Sequence, residues 1–269
     1  MVEFNLESLG VSINLSFQNF KNDTLAGSLI PLKKGTKTDL SILLYEDKKK
    51  TVIQKIKKTE FKNCVKKVRG GSYCTFFDID KRKTFSFFEK DVFLGFVMDH
   101  ALNRSFLAFQ NVLDIIFLHA AAIVIKERAY LFIAPGGGGK STISSLAKEN
   151  GFRVIDEECC IIKRIGNRFF SGVYPIKPLS DTSDKIWEIG GVYFLNKSNK
   201  SRTRKLSAID AVYRSVPEAT SFYHNWVPDE DKNEYKKRIF TFLNSMFNDV
   251  YFRLLDFKID SDVFSCLTH

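Results

Sequence analysis

A run of four glycines leads directly into a lysine and two hydroxyl residues, a pattern that can hold a phosphate group. Positions 136–139 precede Lys140, Ser141 and Thr142, which match the end of the phosphate-loop pattern G-x-x-x-x-G-K-S/T, while Ala134 occupies the slot of its first glycine. Glycines let the backbone adopt positive φ and approach a ligand closely. The residues predicted to bind nucleotide phosphates are therefore Gly136, Gly137, Gly138, Gly139, Lys140, Ser141 and Thr142.

The chemistry expected of this loop divides among its side chains. Lys140 is predicted to reach the β- and γ-phosphates, and the hydroxyl of Ser141 to ligate Mg²⁺. An accidental glycine-rich turn is the alternative interpretation of the same string.

Three consecutive acids supply a second chemical group. Asp156, Glu157 and Glu158 end the apolar run FRVI, one predicted helix and one predicted strand after the glycines. The carboxyl ends of parallel strands line the binding crevice of an α/β sheet. One carboxylate could therefore ligate Mg²⁺ and a second could accept the proton of an attacking hydroxyl. By themselves, the three acids would equally describe a solvated strand end.

His119 is the histidine with the most suggestive setting, since it precedes the apolar run AAAIVIK one strand before the loop. A single histidine beside an apolar segment is commonly a core residue with its hydrogen bonds satisfied. The sequence pattern alone leaves both roles open.

The elements around the loop are predicted to form an α/β domain. AYLFIA predicts a strand before the glycines, TISSLAKEN a helix after them and FRVI a further strand. This order directs backbone N–H groups and a helix N-terminus at one point. Further strands are predicted at CCIIKRI, NRFFSGVY, GGVYFLNK and VYFRLLDF, with helices near residues 207–215 and 234–247 and a short terminal helix.

The first 95 residues predict a β-rich domain instead. The strand candidates are VSINLSF, DLSILLYE, KTVIQKIKK, YCTFFDID and KTFSFFEK. Helical spacing of apolar residues then extends over residues 92–118 and predicts one or two packed helices. The predicted domains are thus residues 1–95 and 96–269. A turn at YPIKPLSD and a mobile polar turn at residues 197–205 complete the expectation.

Charge and cysteine content narrow the class of protein. The net charge of +10 lies in residues 48–83, a basic strip with 13 Lys and Arg against three acids. Such a strip is either a solvated sheet face or a surface for an acidic peptide, an acidic protein or nucleic acid. Lysine outnumbers arginine there, and the aromatic-interleaved signature of RNA-binding modules is not evident, which does not favour nucleic acid. Five cysteines without a C-x-x-C pair, an N-terminus without signal-peptide character and no long apolar segment predict a cytoplasmic protein without a membrane span.

Three stretches together resemble a known family. "LHAAAIVI", "LFIAPGGGGKST" and "GFRVIDEECCII" are similar to the C-terminal kinase domain of HPr kinase/phosphorylase, which is related in structure to ATP-dependent phosphoenolpyruvate carboxykinase. The resemblance extends from about residue 117 to the end. It implies ATP and Mg²⁺ bound by Lys140 and Ser141, with one of Glu157 and Glu158 as catalytic base and the other helping to hold metal. Ser141 and Glu158 are the metal ligands expected, and which acid is the base stays open. It also implies that His119 tunes or orients these carboxylates. Because glutamate is longer than the aspartate that is commoner at these two positions, Asp156 could do part of their work.

The departures from the family pattern indicate a particular kind of relative. Gly136 replaces the loop serine, glutamates stand where aspartates are commoner, and the first 95 residues do not resemble the family's sensory domain. The nearest type is therefore a kinase-only relative, a P-loop kinase domain that phosphorylates serine on a peptide or small protein, with an acidic substrate among the expectations. The basic strip would dock this substrate. Because enzymes of this family are often oligomers, the resemblance also allows a homo-oligomer.

Other functions remain open at the level of sequence. They are a kinase of a free small molecule, a non-catalytic nucleotide-binding regulatory protein and a nucleic-acid-binding ATPase. A GTPase is disfavoured, because "FLNKSN" at 194–199 places Asn199 where the guanine-binding N-K-x-D motif needs aspartate.

Overall fold

The protein forms two compact units, which meet in sequence between Leu113 and Asp114. The computed structural model describes residues 2–8, 11–18, 38–46, 64–65, 73–78, 81–89, 94–172, 185–221, 232–259 and 261–267. The first unit extends past the expected boundary at residue 95, because the helix that follows packs with its strands. Strands and helices occur in both units, so the chain has a mixed α/β architecture.

A six-stranded sheet forms the first unit, with strand order β1-β2-β3-β6-β5-β4. Its strands are β1 (Val2–Ser8), β2 (Val11–Gln18), β3 (Leu40–Glu46), β4 (Cys64–Val65), β5 (Tyr73–Asp78) and β6 (Lys83–Phe88). Four of the predicted strands are confirmed, and the fifth, KTVIQKIKK, lies outside the described residues, as does most of the basic strip. The helix α1 (Leu94–Leu113) packs on this sheet, where Thr84 Oγ1 and Ser105 Oγ share a hydrogen bond of 2.7 Å.

The end of α1 corrects the prediction of helix through residue 118. Asp114 adopts φ of +51°, which stops the helix, and β7 (Ile115–Leu118) follows immediately. Aspartate tolerates the left-handed region better than most residues, and the β-branched pair Ile115 and Ile116 favours a strand. All four residues of β7 are buried and apolar. Such a continuous apolar run carries no periodicity that separates a strand from one more turn of helix.

The second unit contains a nine-stranded sheet. Seven of its strands follow the order β10-β8-β9-β13-β12-β11-β7, and the other two branch from it, with β15 paired to β13 and β14 paired to β15. Its strands after β7 are β8 (Ala120–Ile125), β9 (Arg128–Ile133), β10 (Arg153–Asp156), β11 (Cys160–Ile165), β12 (Arg168–Gly172), β13 (Ile186–Lys197), β14 (Arg202–Arg204) and β15 (Phe252–Phe257). Its helices are α2 (Lys140–Glu149), α3 (Ala208–Thr220), α4 (Lys232–Asp249) and a 3₁₀ helix (Ser261–Leu267).

Strand direction brings several chain ends to one edge of this sheet. β13 is parallel to both β9 and β15, while β8 is antiparallel to β9 and to β10. It follows that β9, β10, β13 and β15 all point the same way, and that the start of β8 lies at their carboxyl ends. Ligands of open α/β sheets bind at such an edge. We call it the carboxyl edge.

Apolar packing fixes α2 against this sheet. Ile143 and Ala147 of α2 are completely buried with Phe132, Tyr193 and Leu255 from three parallel strands. Burying a large apolar side chain contributes about 1.5–3 kcal/mol, so this layer holds the first turn of α2 at the end of β9. The sequence TISSLAKEN, which predicted this helix, supplies both contact residues.

Part of residues 197–205, for which a polar turn was predicted, is a strand. They contain β14, which pairs antiparallel with β15 in the register Arg202↔Asp256. The turn YPIKPLSD falls outside the described residues. Within the part of the chain that the structure describes, no helix is long and apolar enough to cross a membrane.

Candidate functional site

The glycine run forms the connection between β9 and α2, and two of its glycines are required by packing. A Cβ added to Gly138 would lie 2.5 Å from the Cβ of Ala134, and one added to Gly139 would lie 2.5 Å from the ring of Phe257. Gly139 also has φ of +108°, which a side chain rarely permits. The loop therefore folds back tightly on the end of β9.

The other two glycines face open space. A Cβ built on Gly136 or Gly137 would meet no atom within 4 Å. The backbone of this part of the loop is thus accessible to a ligand on one side, while Gly138 and Gly139 hold it from the other. This is the arrangement in which glycines serve a phosphate cradle.

Ala134, which stands where the motif has glycine, is the buried exit residue of β9. Its methyl group occupies the space beside Gly138, so a small residue is what the packing requires there. The substitution preserves the close approach of the loop to the strand.

Lys140 is folded back onto the loop that precedes it. Its Nζ donates to the carbonyl oxygen of Ala134 at 2.6 Å, and the residue is only 7% exposed. Burial lowers the pKa of this ammonium below its ordinary value, while Glu218 and Glu158 act in the opposite direction. A desolvated lysine next to a loop of glycines is suited to an anionic ligand, which would replace the lost hydration.

The first turn of α2 adds a partial positive charge at the same place. The helix begins at Lys140 with Gly139 as its N-cap, and no side chain caps it. The first N–H groups of a helix have no partner within the helix, and together with the helix dipole they attract anions. Ser141 is exposed here and Thr142 half-buried.

The three predicted acids separate into different environments. Asp156 is buried at the end of β10, and its Oδ1 accepts hydrogen bonds from the backbone N–H groups of Glu158 (2.9 Å) and Cys159 (3.0 Å). It therefore shapes the turn that presents Glu158. Glu158 is exposed, and its negative charge works against the lowering of the pKa of Lys140.

Glu157 points elsewhere, because its carboxylate is paired with Lys148. Lys148 lies eight residues after Lys140 on α2, or about 12 Å along the helix axis. The charge of Glu158 therefore acts on the pKa of Lys140, whereas Glu157 forms an ion pair with Lys148 of α2.

His119 lies at the carboxyl edge because the next residue, Ala120, pairs with Ile133 at the end of β9. Its Nδ1 is 2.9 Å from Oε2 of Glu218, and its backbone N–H donates to the carbonyl oxygen of Glu218 at 3.1 Å. A carboxylate on one ring nitrogen fixes the orientation and tautomer of an imidazole. The structure thus places His119 with a carboxylate, but one that the sequence did not single out.

Glu218 is the site residue that sequence reasoning missed. It lies near the end of α3, and its side chain is 13% exposed. Its carboxylate contacts His119 directly, and its charge favours the protonated form of Lys140. Glu218 therefore interacts with two of the predicted site residues. No motif spacing marks it, since its proximity depends on where α3 ends relative to the sheet.

Asp256 is the centre of a second polar cluster at this edge. It is 2% exposed and accepts four hydrogen bonds, two from Arg204 and one each from Arg202 and Asn196. Arg204 is the main cause that holds the pKa of this carboxyl well below its ordinary value of 3.8. Phe257, the next residue, is the one whose ring packs against Gly139.

Acid is expected to remove part of the stability of the second unit through Asp256. Because its pKa is depressed in the folded state, its contribution is fully present above about pH 4 and is lost as the pH falls further. Asp256→Asn should cost about 1–3 kcal/mol at neutral pH and should show a weaker loss of thermal stability between about pH 5 and pH 2. Equal acid dependence in the parent and the variant, measured by circular dichroism, would contradict this assignment.

The fit of a magnesium ion depends on few protein ligands. The described residues contain no group of three or more His, Cys, Asp or Glu side chains that could hold a metal ion. Mg²⁺ in phosphoryl-transfer sites is generally held by one or two side chains together with water and substrate phosphates. Ser141 and Glu158, exposed beside Lys140, have the oxygen chemistry for such a site, and their role stays a prediction.

Comparison of the chain with protein-family models and with curated proteins gave no match. The candidate site is therefore defined by its geometry: a glycine loop, a desolvated lysine, an uncapped helix end, and His119, Glu158 and Glu218 around them.

Proposed function

We propose that the protein is an ATP- and Mg²⁺-dependent kinase that transfers the γ-phosphate to a hydroxyl group, most simply a serine of a peptide or small protein. The observation that carries the proposal is Lys140, a buried cation bonded to the loop backbone at the end of a parallel strand and influenced by two carboxylates. The resemblance of the chain to HPr kinase/phosphorylase supports the same class, as does the strand, loop and helix order around the glycines.

Nucleotide binding would use groups that already converge. The open backbone at Gly136 and Gly137 and the N-terminus of α2 would receive the β- and γ-phosphates. Lys140 would exchange its bond with the carbonyl of Ala134 for the phosphate oxygens, which favour its charged form. Ser141 and Glu158 would hold Mg²⁺, which would supply positive charge to the phosphate oxygens.

The chemical step needs a group that takes the proton from the acceptor. The acceptor oxygen forms a bond to the γ-phosphorus while the bond to the bridging oxygen breaks, and ADP leaves with that electron pair. Glu218 is the carboxylate that both contacts His119 and acts on Lys140. We assign the acceptor proton to the pair of Glu218 and His119, with Glu158 on the metal side of the phosphate.

This assignment differs from the expectation that the base is one of Asp156, Glu157 and Glu158, and substitution can separate the two. We expect Glu218→Gln and Glu158→Gln each to lower the rate of transfer by about 10²-fold or more. Glu157→Gln should retain a rate within about threefold of the parent, because its carboxylate is paired with Lys148. Single-turnover transfer from labelled ATP would measure all three, and the largest loss in Glu157→Gln would assign the role of base to Glu157 instead.

The class of reaction is tested by following the label itself. The protein would be incubated with γ-labelled ATP, Mg²⁺ and serine peptides, with matched peptides in which alanine replaces serine as the control. A kinase transfers label to the serine peptides only. If label leaves ATP only as slowly released phosphate, the protein is a nucleotide-binding regulator instead. If, in a parallel incubation with hydroxyl-bearing metabolites, label appears on the metabolites and never on the peptides, the acceptor is a small molecule.

A further inference from the structure

Residues 197–205 form a compact positive surface at the carboxyl edge, which we call the basic turn. Its nine residues include Lys197, Lys200, Arg202, Arg204 and Lys205, all exposed, and no acid. This surface belongs to the second unit, whereas the basic strip of residues 48–83 belongs to the first.

The basic turn is attached to the same short stretch of chain that supports the phosphate loop. The backbone N–H of Ser198 donates to the carbonyl oxygen of Phe257 at 2.9 Å, and Ser201 Oγ accepts from the N–H of Lys258 at 3.1 Å. Phe257 is in turn the residue whose ring lies against Gly139. One residue of β15 therefore touches both the basic turn and the loop.

Two of the cations are held in a fixed orientation. The buried carboxylate of Asp256 accepts from Nε of Arg202 at 3.1 Å and from Nε and Nη2 of Arg204 at 2.7 and 2.8 Å. The side chains of Arg202 and Arg204 remain 67% and 45% exposed. A guanidinium has five N–H donors, so each arginine keeps donors directed away from Asp256. One carboxylate against two arginines also leaves a net positive charge.

We infer that the basic turn docks an acidic segment of the peptide or protein whose hydroxyl is phosphorylated. Preoriented arginines favour carboxylates, which they bind in a planar, two-bond geometry. Five cations spread over nine residues are more than one phosphate group can use, and they suit a run of carboxylates. The inference rests on the proposed kinase function for the identity of the occupant, and it assigns specificity to a surface beside the site.

The composition of the basic turn argues against nucleic acid as the occupant. Residues 197–205 include no aromatic side chain, whereas single-stranded nucleic acid is generally held by base stacking on aromatic residues as well as by charge. The lysines and arginines here would supply charge alone.

Direct binding tests the inference without any need for transfer. The probes are a fluorescent serine peptide with about five glutamates, one for each cation, and a matched peptide with glutamines. In anisotropy titrations without ATP, the parent protein should bind the glutamate peptide at least about tenfold more tightly at about 50 mM salt, and should lose most of that preference at about 500 mM.

Two variants with equal loss of charge locate the binding. Lys197→Gln/Lys200→Gln/Lys205→Gln removes three cations and leaves the arginines on Asp256, so the fold is retained. Lys126→Gln/Lys236→Gln/Lys237→Gln removes three exposed lysines from other elements. We expect the first variant to lose about tenfold in affinity for the glutamate peptide, and the second to bind within about twofold of the parent.

Each contrary outcome overturns the inference in a recognisable way. Equal binding of the two peptides, or equal losses in the two variants, would show that the basic turn does not select acidic segments. Tighter binding of a single-stranded oligonucleotide of equal charge would assign the surface to nucleic acid instead. Selective glutamate-peptide binding in a protein that transfers no phosphate would leave the docking surface in place and remove the kinase function. Transfer of phosphate to the glutamate and glutamine peptides with equal KM would keep the kinase function and remove the docking surface.

Discussion

Replacing Lys140 by methionine is expected to lower phosphate transfer by about 10²- to 10³-fold while leaving the protein as stable as the parent within about 1 kcal/mol. The two effects separate because Lys140 is desolvated in the folded protein. Its removal gives up a 2.6 Å bond to the carbonyl of Ala134, and it also relieves the cost of burying a cation. Methionine retains most of the apolar volume.

The pH dependence of stability provides an independent check on Lys140. Its pKa is lowered by burial in the folded protein, so the unfolded chain binds more protons as the ordinary lysine pKa is approached. Stability therefore rises with pH through this interval, and Lys140→Met should lack that rise. Transfer assays and thermal melts, with exposed Lys236→Met as the control, would measure both effects. A variant that loses several kcal/mol of stability would show that Lys140 serves the fold, and one that transfers phosphate normally would remove it from the site.

Gly139→Ala is expected to have the largest effect on the fold of the site. Its Cβ would lie 2.5 and 3.0 Å from two ring atoms of Phe257, at a backbone φ of +108°. Left-handed strain costs about 1–3 kcal/mol and overpacking a further 1–3 kcal/mol. The loop would have to move away from β15, and nucleotide binding should be lost with it.

The same loop offers a matched control for this change. Gly136→Ala adds the same methyl group where no atom lies within 4 Å, so its stability should stay within about 0.5 kcal/mol of the parent. Phe257→Leu should restore part of the stability of Gly139→Ala by making room for the methyl group, which a double-mutant cycle detects. Equal stabilities of Gly136→Ala and Gly139→Ala would show that the ring contact does not constrain the loop.

Local sequence patterns determined much of this protein because the structures involved are local. The string APGGGGKST follows one strand and precedes one helix, and the sequence shows the spacing of apolar residues typical of each. The strand at VYFRLLDF and the helix near residues 234–247 were found in the same way, with ends within a few residues of β15 and α4. The prediction of helix failed at β7, where continuous burial removes the periodicity that separates a strand from a helix.

Contacts between distant segments were decided only by the tertiary structure. Glu218 reaches His119 across 99 residues of sequence (218 − 119), because α3 ends at the carboxyl edge, and no spacing rule encodes that meeting. Glu157 and Glu158 are adjacent in sequence, yet the turn held by Asp156 sends one toward Lys148 and leaves the other acting on Lys140. The sequence by itself determined which chemical groups the protein carries and the loop that could hold phosphate. The fold decided which carboxylates face that loop, since side-chain direction at a sheet edge depends on strand order and packing.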